Sequence, residues 1–100
     1  MNIVQIRKLA LNDIQVALKH YDSMEQDLGD RFKEQLLKQL DLLAERPEMF
    51  QLKYKDTRIC YLLDFPFGIH YLINGNTIEV LAVLHSGRNP EIWKDRNSEC

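Results

Sequence analysis

The residues best suited to chemistry follow an apolar run near the end of the sequence. Residues 78–84 are almost all apolar, and His85, Arg88 and Trp93 come soon after them. Histidine exchanges protons near neutral pH, arginine keeps a positive charge that suits phosphate, and tryptophan packs or stacks. Because loops that leave a rigid sheet often carry function, we expect a functional site in this segment.

Each of these three residues also has a purely structural interpretation. His85 can satisfy backbone groups at a strand end, and Arg88 can pair with Glu91 or Asp95. Trp93 can pack a terminal helix against the sheet, or it can anchor a bound protein. The residues alone leave these alternatives open.

The two cysteines predict free thiols. Cys60 lies within an apolar strand pattern, and Cys100 stands far from it in the sequence. Two thiols placed in this way form a poor disulfide framework, which is typical of a reducing compartment. We expect Cys60 to be a small core residue, and we expect neither a metal site nor a cofactor.

Composition and charge narrow the class of protein. The chain has 100 residues, of which 45% are hydrophobic, and this predicts one globular domain over residues 1–100. The net charge of −2 argues against a domain that grips nucleic acid through its overall charge. No apolar run approaches the roughly 20 residues that span a bilayer. The first residues read as a short strand rather than a signal peptide, so we expect a cytoplasmic protein without a membrane partner.

Helical periodicity dominates the first half of the chain. The spacing predicts a helix that starts near Asn12, which can cap its first turn, and a bend or break at Gly29. A second helix follows and ends before Pro47, because proline removes a backbone donor. The two should form a helical hairpin, and the second carries an apolar stripe made of Phe32, Leu36, Leu40 and Leu43.

Strand patterns dominate the second half. Residues 57–63, 69–73 and 77–84 are rich in β-branched and aromatic side chains, and they predict a three-stranded meander. Asn74 and Gly75 favour a type I′ turn between the last two strands. The last strand is apolar at nearly every position, which is typical of a strand buried on both faces.

The two ends of the chain complete the predicted fold. Asn89, Pro90 and Glu91 have the order of a helix cap, a first-turn proline and an acid favoured by the helix dipole. The fold class is therefore α+β, with an N-terminal strand, a helical hairpin packed on a mostly antiparallel sheet with a three-stranded C-terminal meander, and a short C-terminal helix. The N-terminal strand must join the sheet to bury Ile3, Val4 and Ile6.

A set of short motifs in a fixed order resembles the RelE/ParE superfamily of bacterial type II toxin–antitoxin toxins. The helical hairpin ends in Glu45, Arg46 and Pro47, and Arg58 opens the next strand. The resemblance continues through residues 65–71 and 80–85, followed by Arg88 and Pro90. It covers nearly the whole chain.

The resemblance implies a small cytoplasmic toxin that a cognate antitoxin holds inactive. The superfamily includes RelE-like members, which cleave messenger RNA on the ribosome with lysines, arginines and a tyrosine or histidine near the sheet. ParE-like members lack that set and are described as poisons of DNA gyrase.

Comparison with the RelE-like pattern favours the ParE-like members. The position of the RelE-like arginine falls on Gly68 or Ile69, neither of which can stabilise a phosphorane. The catalytic lysines of that pattern fall near Ile59 and Tyr61. Trp93 stands about where a tyrosine or histidine would serve, and indole does not exchange a proton near neutral pH.

The sequence therefore predicts a ParE-like toxin that binds a protein target, with DNA gyrase and an antitoxin as its partners. The predicted target-binding residues are Arg58, Arg88, Trp93 and Arg96. The alternative is a RelE-like ribosome-dependent endoribonuclease, in which His85 and Arg88 do the chemistry and Lys53 and Lys55 grip RNA. A third possibility is a member that has lost its toxicity and remains an antitoxin-binding scaffold.

Overall fold

A computed structural model describes residues 2–86 of the chain. Its elements are β1 (Ile3–Ile6), α1 (Lys8–Met24), α2 (Gln26–Glu45), β2 (Leu52–Tyr54), β3 (Thr57–Tyr61), β4 (Phe67–Asn74) and β5 (Thr77–His85). The strand order is β1-β5-β4-β3-β2, with β1 parallel to β5 and every other neighbouring pair antiparallel. The α+β class, the N-terminal strand, the helical hairpin and the meander are confirmed. The predicted C-terminal helix lies outside the described residues.

The first helix begins about one turn earlier than predicted. The Arg7 backbone N–H still donates to Val80 O at 3.0 Å, as part of the sheet, and the Leu11 N–H then donates to Arg7 O at 2.9 Å. The last sheet hydrogen bond therefore determines where α1 starts. The prediction of a start and cap at Asn12 is wrong.

The break between the helices lies at Glu25 rather than at Gly29. Glu25 is extended, with φ −160° and ψ 139°, whereas Gly29 is a buried residue inside α2. A Cβ atom built on Gly29 would lie 1.8 Å from Asp22 Oδ1 of α1. The two helices approach each other closely at Gly29, and a residue without a Cβ atom avoids a clash with Asp22 there.

The predicted core of the hairpin is confirmed. The apolar stripe of α2 is buried against the sheet, as is Cys60 on β3. Aromatic rings extend this core towards one end of the sheet. The ring centroid of Phe32 lies 5.3 Å from that of Phe65 and 5.2 Å from that of Phe67, both in edge-to-face geometry, which is favourable for aromatic pairs.

The two edge strands depart from the prediction. Within β1, Val4 packs against the core, but Ile3 is 59% exposed and Ile6 is 37% exposed, so their predicted burial is wrong. Successive side chains of a strand point to opposite faces, so Ile3 points away from the face on which Val4 packs, and Ile6 is the last residue of the strand. β2 was not predicted, because it has three residues and two of them are exposed, which gives no periodic signal.

The described part of the chain contains neither a membrane-spanning helix nor a cluster of metal ligands. No helix in residues 2–86 is long and apolar enough to cross a membrane. Within the same residues, no three His, Cys, Asp or Glu side chains are grouped so as to hold a metal ion.

We predict that Gly29→Ala stabilises the protein more when Asp22 is also shortened. In an Asp22→Ala background the substitution should raise the free energy of unfolding by about 1 kcal/mol, the helix-propensity difference between alanine and glycine. In the wild-type background the gain should be smaller, because the Asp22 side chain must move. Urea denaturation of the four proteins measures both gains, and equal gains would contradict the close approach.

We also predict that the Cys60 thiol makes stability fall at alkaline pH. Burial raises the pKa of Cys60 to about 11 from an ordinary value of 9.0, and the Gln39 side-chain hydrogen bond opposes this shift. Above pH 9.0 the folded state keeps the thiol proton while the unfolded chain loses it. The contribution of the thiol to the free energy of unfolding is therefore full below pH 9.0 and is lost as the pH rises towards about 11.

Cys60→Ala is the matched control for this pH effect. Burial keeps the pKa of Tyr71 raised in the folded state of both proteins, and the tyrosines of the unfolded chain ionise in both, so the difference in unfolding free energy between the two proteins reports mainly on the thiol. That difference should shrink between pH 9.0 and about 11. A constant difference over this range would mean that the thiol is not desolvated.

Candidate functional site

The end of β5 and the middle of α1 enclose an open groove. Its volume is about 440 Å³, and it is lined by Asp13, Val16, Ala17, His20, Phe67, Val83, Leu84 and His85. His85 is exposed and holds its ring edge-to-face against Phe67, with the centroids 5.4 Å apart. The groove therefore combines an apolar lining with two imidazoles and one carboxylate.

A bulge in β5 turns His85 towards the helices. Tyr71 on β4 pairs with Val80, whereas the preceding residue His70 pairs with Ala82, so Leu81 is the extra residue of β5. Side chains alternate between the two faces of a strand, and one extra residue reverses the alternation. Val83 therefore shares the helix-side core with Val80, and His85 follows it onto that face.

Asp13 covers part of the strand edge that β1 leaves open. β1 pairs with β5 only as far as Val80, so the outer edge of β5 beyond that point faces α1. The Val83 backbone N–H donates to Asp13 Oδ2 at 3.1 Å. A carboxylate on a helix thus replaces the missing strand at one backbone position, which is one way in which proteins protect a sheet edge.

Arg58, one of the predicted target-binding residues, holds a loop in place. Its Nη1 donates to Phe50 O at 2.7 Å and to Glu48 O at 3.3 Å. Its register partner Tyr71 is buried, and its hydroxyl donates to Pro47 O at 2.6 Å. Burial raises the pKa of Tyr71 strongly, so this phenol stays a neutral hydrogen-bond donor. The two side chains together fix the segment between α2 and β2.

The structure does not bring Arg58 and His85 together. Arg58 is level with Tyr71 on β4, whereas His85 is level with Phe67, four residues further along that strand. At the usual rise of a β-strand this corresponds to about 13 Å. The two described residues of the predicted site therefore belong to different regions of the sheet.

The lysines of the nuclease alternative are also remote from His85. Lys53 lies on β2 and Lys55 in the turn that follows, so three strand spacings, about 14 Å, separate them from β5. Lys55 has a positive φ of 51°, and its ammonium lies 5.3 Å from the centroid of the Tyr54 ring. The described residues do not place these lysines beside His85.

The positions that match the RelE-like catalytic pattern are occupied by packing residues. Gly68 and Ile69 are buried in β4, and a Cβ on Gly68 would lie 2.9 Å from Ile59 Cγ2. Ile59 is itself buried, and the ring of Tyr61 lies over the same glycine. Ile59, Tyr61 and Gly68 therefore pack against one another across β3 and β4, whereas Ile69 belongs to the core on the other face.

The remaining predicted site residues lie outside the described part of the chain. They are Arg88, Trp93 and Arg96. The structure thus places Arg58 and His85, and the roles of all five residues stay predictions.

Sequence reasoning missed the α1 side of the groove. Asp13, Val16 and His20 follow one another at intervals of three and four residues, which places them on one stripe of the helix. That spacing was visible in the sequence. It did not identify a site, because only the tertiary fold places α1 beside the end of β5.

We predict that Arg58→Ala lowers the free energy of unfolding by about 1–2 kcal/mol, because two backbone carbonyls lose a charged donor. Tyr71→Phe should cost about 1 kcal/mol for the loss of its single hydrogen bond. Lys53→Ala, which removes an exposed cation from the adjacent strand, is the matched control and should have little effect. Urea denaturation measures all three, and an Arg58→Ala protein as stable as the control would contradict a structural role.

Comparisons with known proteins agree on one family. A family model described as the ParE toxin of the type II toxin–antitoxin system, parDE, matches residues 4–90. No curated protein matches the chain. A solved structure described as the chromosomal ParDE TA system from P. aeruginosa resembles it with a TM-score of 0.76 and 16% sequence identity, over 85% of this chain and 96% of that chain. At this identity the structural likeness shows the fold alone.

Proposed function

Because the chain belongs to the ParE toxin family of type II toxin–antitoxin systems, we propose that it arrests bacterial growth by binding DNA gyrase in the cytoplasm. A cognate antitoxin made beside it neutralises this activity. The observation that carries the proposal is the family match over residues 4–90, which includes both helices and every described strand except the first residue of β1. The structural neighbour is described as part of a ParDE system, and this supports an antitoxin as a partner.

The chemistry of the sheet supports inhibition by binding rather than RNA cleavage. Cleavage through the 2′-hydroxyl needs a base, a proton donor and cations placed around one phosphate. Gly68 and Ile69 offer no such group, and Lys53 and Lys55 lie three strands from His85. A toxin that binds a protein needs no group of this kind.

The groove between α1 and β5 supports a protein partner that binds through an apolar helix face. Its lining is mostly apolar, and α1 leaves Val16 more than half exposed at its border. Exposed apolar side chains beside a groove are typical of surfaces that bind the apolar face of a partner helix. The antitoxin is the partner that this surface suits.

Expression of the chain in a bacterial host, with and without its antitoxin, tests the proposal. We expect growth arrest with a DNA-damage response and intact messenger RNA, relieved by the antitoxin. Purified protein should inhibit supercoiling by gyrase. Arg88→Ala and Arg96→Ala should each weaken the arrest, whereas Lys19→Ala on α1 is the matched surface control.

Three other outcomes would overturn the proposal. Codon-positioned messenger cleavage that is lost in His85→Ala would identify a RelE-like endoribonuclease. Arrest without either response would indicate another target. Harmless expression of a folded protein would identify a scaffold that has lost its toxicity.

A further inference from the structure

The outer edge of β1 is open. β1 lies at one end of the strand order and pairs with β5 alone. The backbone N–H groups of Ile3 and Arg7 donate to the turn before β5 and to β5 itself, at 2.9 and 3.0 Å. Alternate residues of a strand face the same neighbour, so Gln5 also faces β5, whereas Val4 and Ile6 turn their N–H and C=O groups outward. None of the residues in the described range forms a hydrogen bond with these outward groups.

The other exposed edges of the described sheet are protected. At the opposite edge, β2 has three residues, a register shift and an exposed lysine, Lys53. Where β2 no longer covers β3, Gln39 Nε2 donates to Tyr61 O at 3.0 Å. Where β1 no longer covers β5, Asp13 accepts from the Val83 N–H. Short strands, bulges, charges and covering side chains are the devices that keep sheet edges from pairing.

β1 has none of these devices. Its sequence, Ile-Val-Gln-Ile, contains no charge and no proline, and its register with β5 is regular from Ile3 to Ile6. Ile3 is 59% exposed and Ile6 is 37% exposed, so the strand presents apolar side chains as well as unpaired backbone groups. An edge of this kind is a template for one more strand.

We propose that this edge pairs with β1 of a second copy of the chain, antiparallel and about a two-fold axis at Gln5. The two five-stranded sheets then join into one continuous sheet. In this register Val4 of each copy lies opposite Ile6 of the other, and residues that pair in this way exchange both backbone hydrogen bonds. Every outward N–H of β1 therefore meets an outward C=O of the other copy, as an isologous interface requires.

The side chains also suit a second copy. Val4 and Ile6 share one face of the strand, so two apolar residues lie side by side across the axis. Gln5 lies opposite its own copy and carries no charge. The nearest charged residue in sequence, Arg7, already pairs with Glu79. The two copies therefore bring no unpaired like charges together at the axis.

The contact is small, so the dimer should depend on concentration. Specific, stable complexes bury about 1,200–2,000 Å² in total, and pairing two strands of four residues buries less. The inference rests on the β1 edge alone. It does not depend on gyrase as the target or on an antitoxin as a partner.

Sedimentation velocity of the full chain tests the dimer. From about 10 μM to about 1 mM the wild type should shift from monomer towards dimer. Ile6→Lys places a charge beside Val4 of the other copy and should raise the dissociation constant at least about tenfold. Leu52→Lys, at a residue of β2 that is 49% exposed, is the matched control on the opposite edge strand and should leave the dimer intact. A wild type that stays monomeric, or a dimer that survives Ile6→Lys, would overturn the proposal.

Disulfide cross-linking tests the position of the axis. Directly opposed residues of a non-hydrogen-bonded antiparallel pair have Cα atoms about 4.5 Å apart, which a disulfide can span. In a Cys100→Ser background, where Cys60 is buried, Gln5→Cys should form a covalent dimer under mild oxidation and Leu52→Cys should not. Equal cross-linking of the two variants, or none with Gln5→Cys, would contradict the axis. Monomeric protein whose Val4 and Ile6 amides exchange more slowly once an antitoxin is added would assign the edge to that partner instead.

Discussion

The pairing of β4 with β5 is the interaction on which the rest of the fold depends. The two strands pair from Asn74 and Thr77 beside the turn to Phe67 and His85 at the far end. β1 attaches to the outer side of β5, β3 attaches to the outer side of β4, and both helices pack on the same face of this pair. Because β4 and β5 are adjacent in sequence and joined by a tight turn, the central pairing costs little loop entropy.

One irregularity in that pairing determines the geometry of the groove. If β5 lacked the bulge at Leu81, Ala82 and Leu84 would face the helices and His85 would face the other way. The bulge instead places Val83 beside Asp13 and turns His85 towards Phe67. The same irregularity places Ala82 and Leu84 in a cluster separate from the core that contains the helices. The groove and the position of these two residues are therefore two consequences of one extra residue.

The chain belongs to the ParE toxin family of type II toxin–antitoxin systems. The positions that the sequence comparison matched to a catalytic pattern serve packing in this fold, since Gly68 and Ile69 are buried in β4 and Ile59 is buried in β3. Arg58 has a structural role, because its guanidinium donates hydrogen bonds to two backbone carbonyls of the loop that follows α2.

Local patterns in the sequence were sufficient to predict the two helices, the three-stranded meander and the apolar stripe of α2 that lies in the core. The apolar stripe of α2 repeats at helical spacing, the strands alternate or run apolar, and the tight turn between β4 and β5 forms where a glycine was expected, so short-range chemistry determines these features. The predicted type I′ turn with Asn74 and Gly75 at its centre is wrong, because Asn74 pairs with Thr77 and Gly75, with φ 63°, is followed in the turn by Asn76, whose φ is not positive. The start of α1 could not be predicted, because it depends on a hydrogen bond from Arg7 to Val80, which is remote in sequence. Gly29 was taken for a break because its close contact with Asp22 exists only once the two helices have packed. The short β2 gives no periodic signal, because it has three residues and two of them are exposed. The same holds for the site. The sequence identified His85 and Arg58 by residue type and resemblance, whereas the distance between them, the loop-holding contacts of Arg58 and the groove beside Asp13 and His20 were decided by the tertiary structure. Hydrogen bonds and packing between distant segments have no periodic signature, and they exist only once the chain has folded.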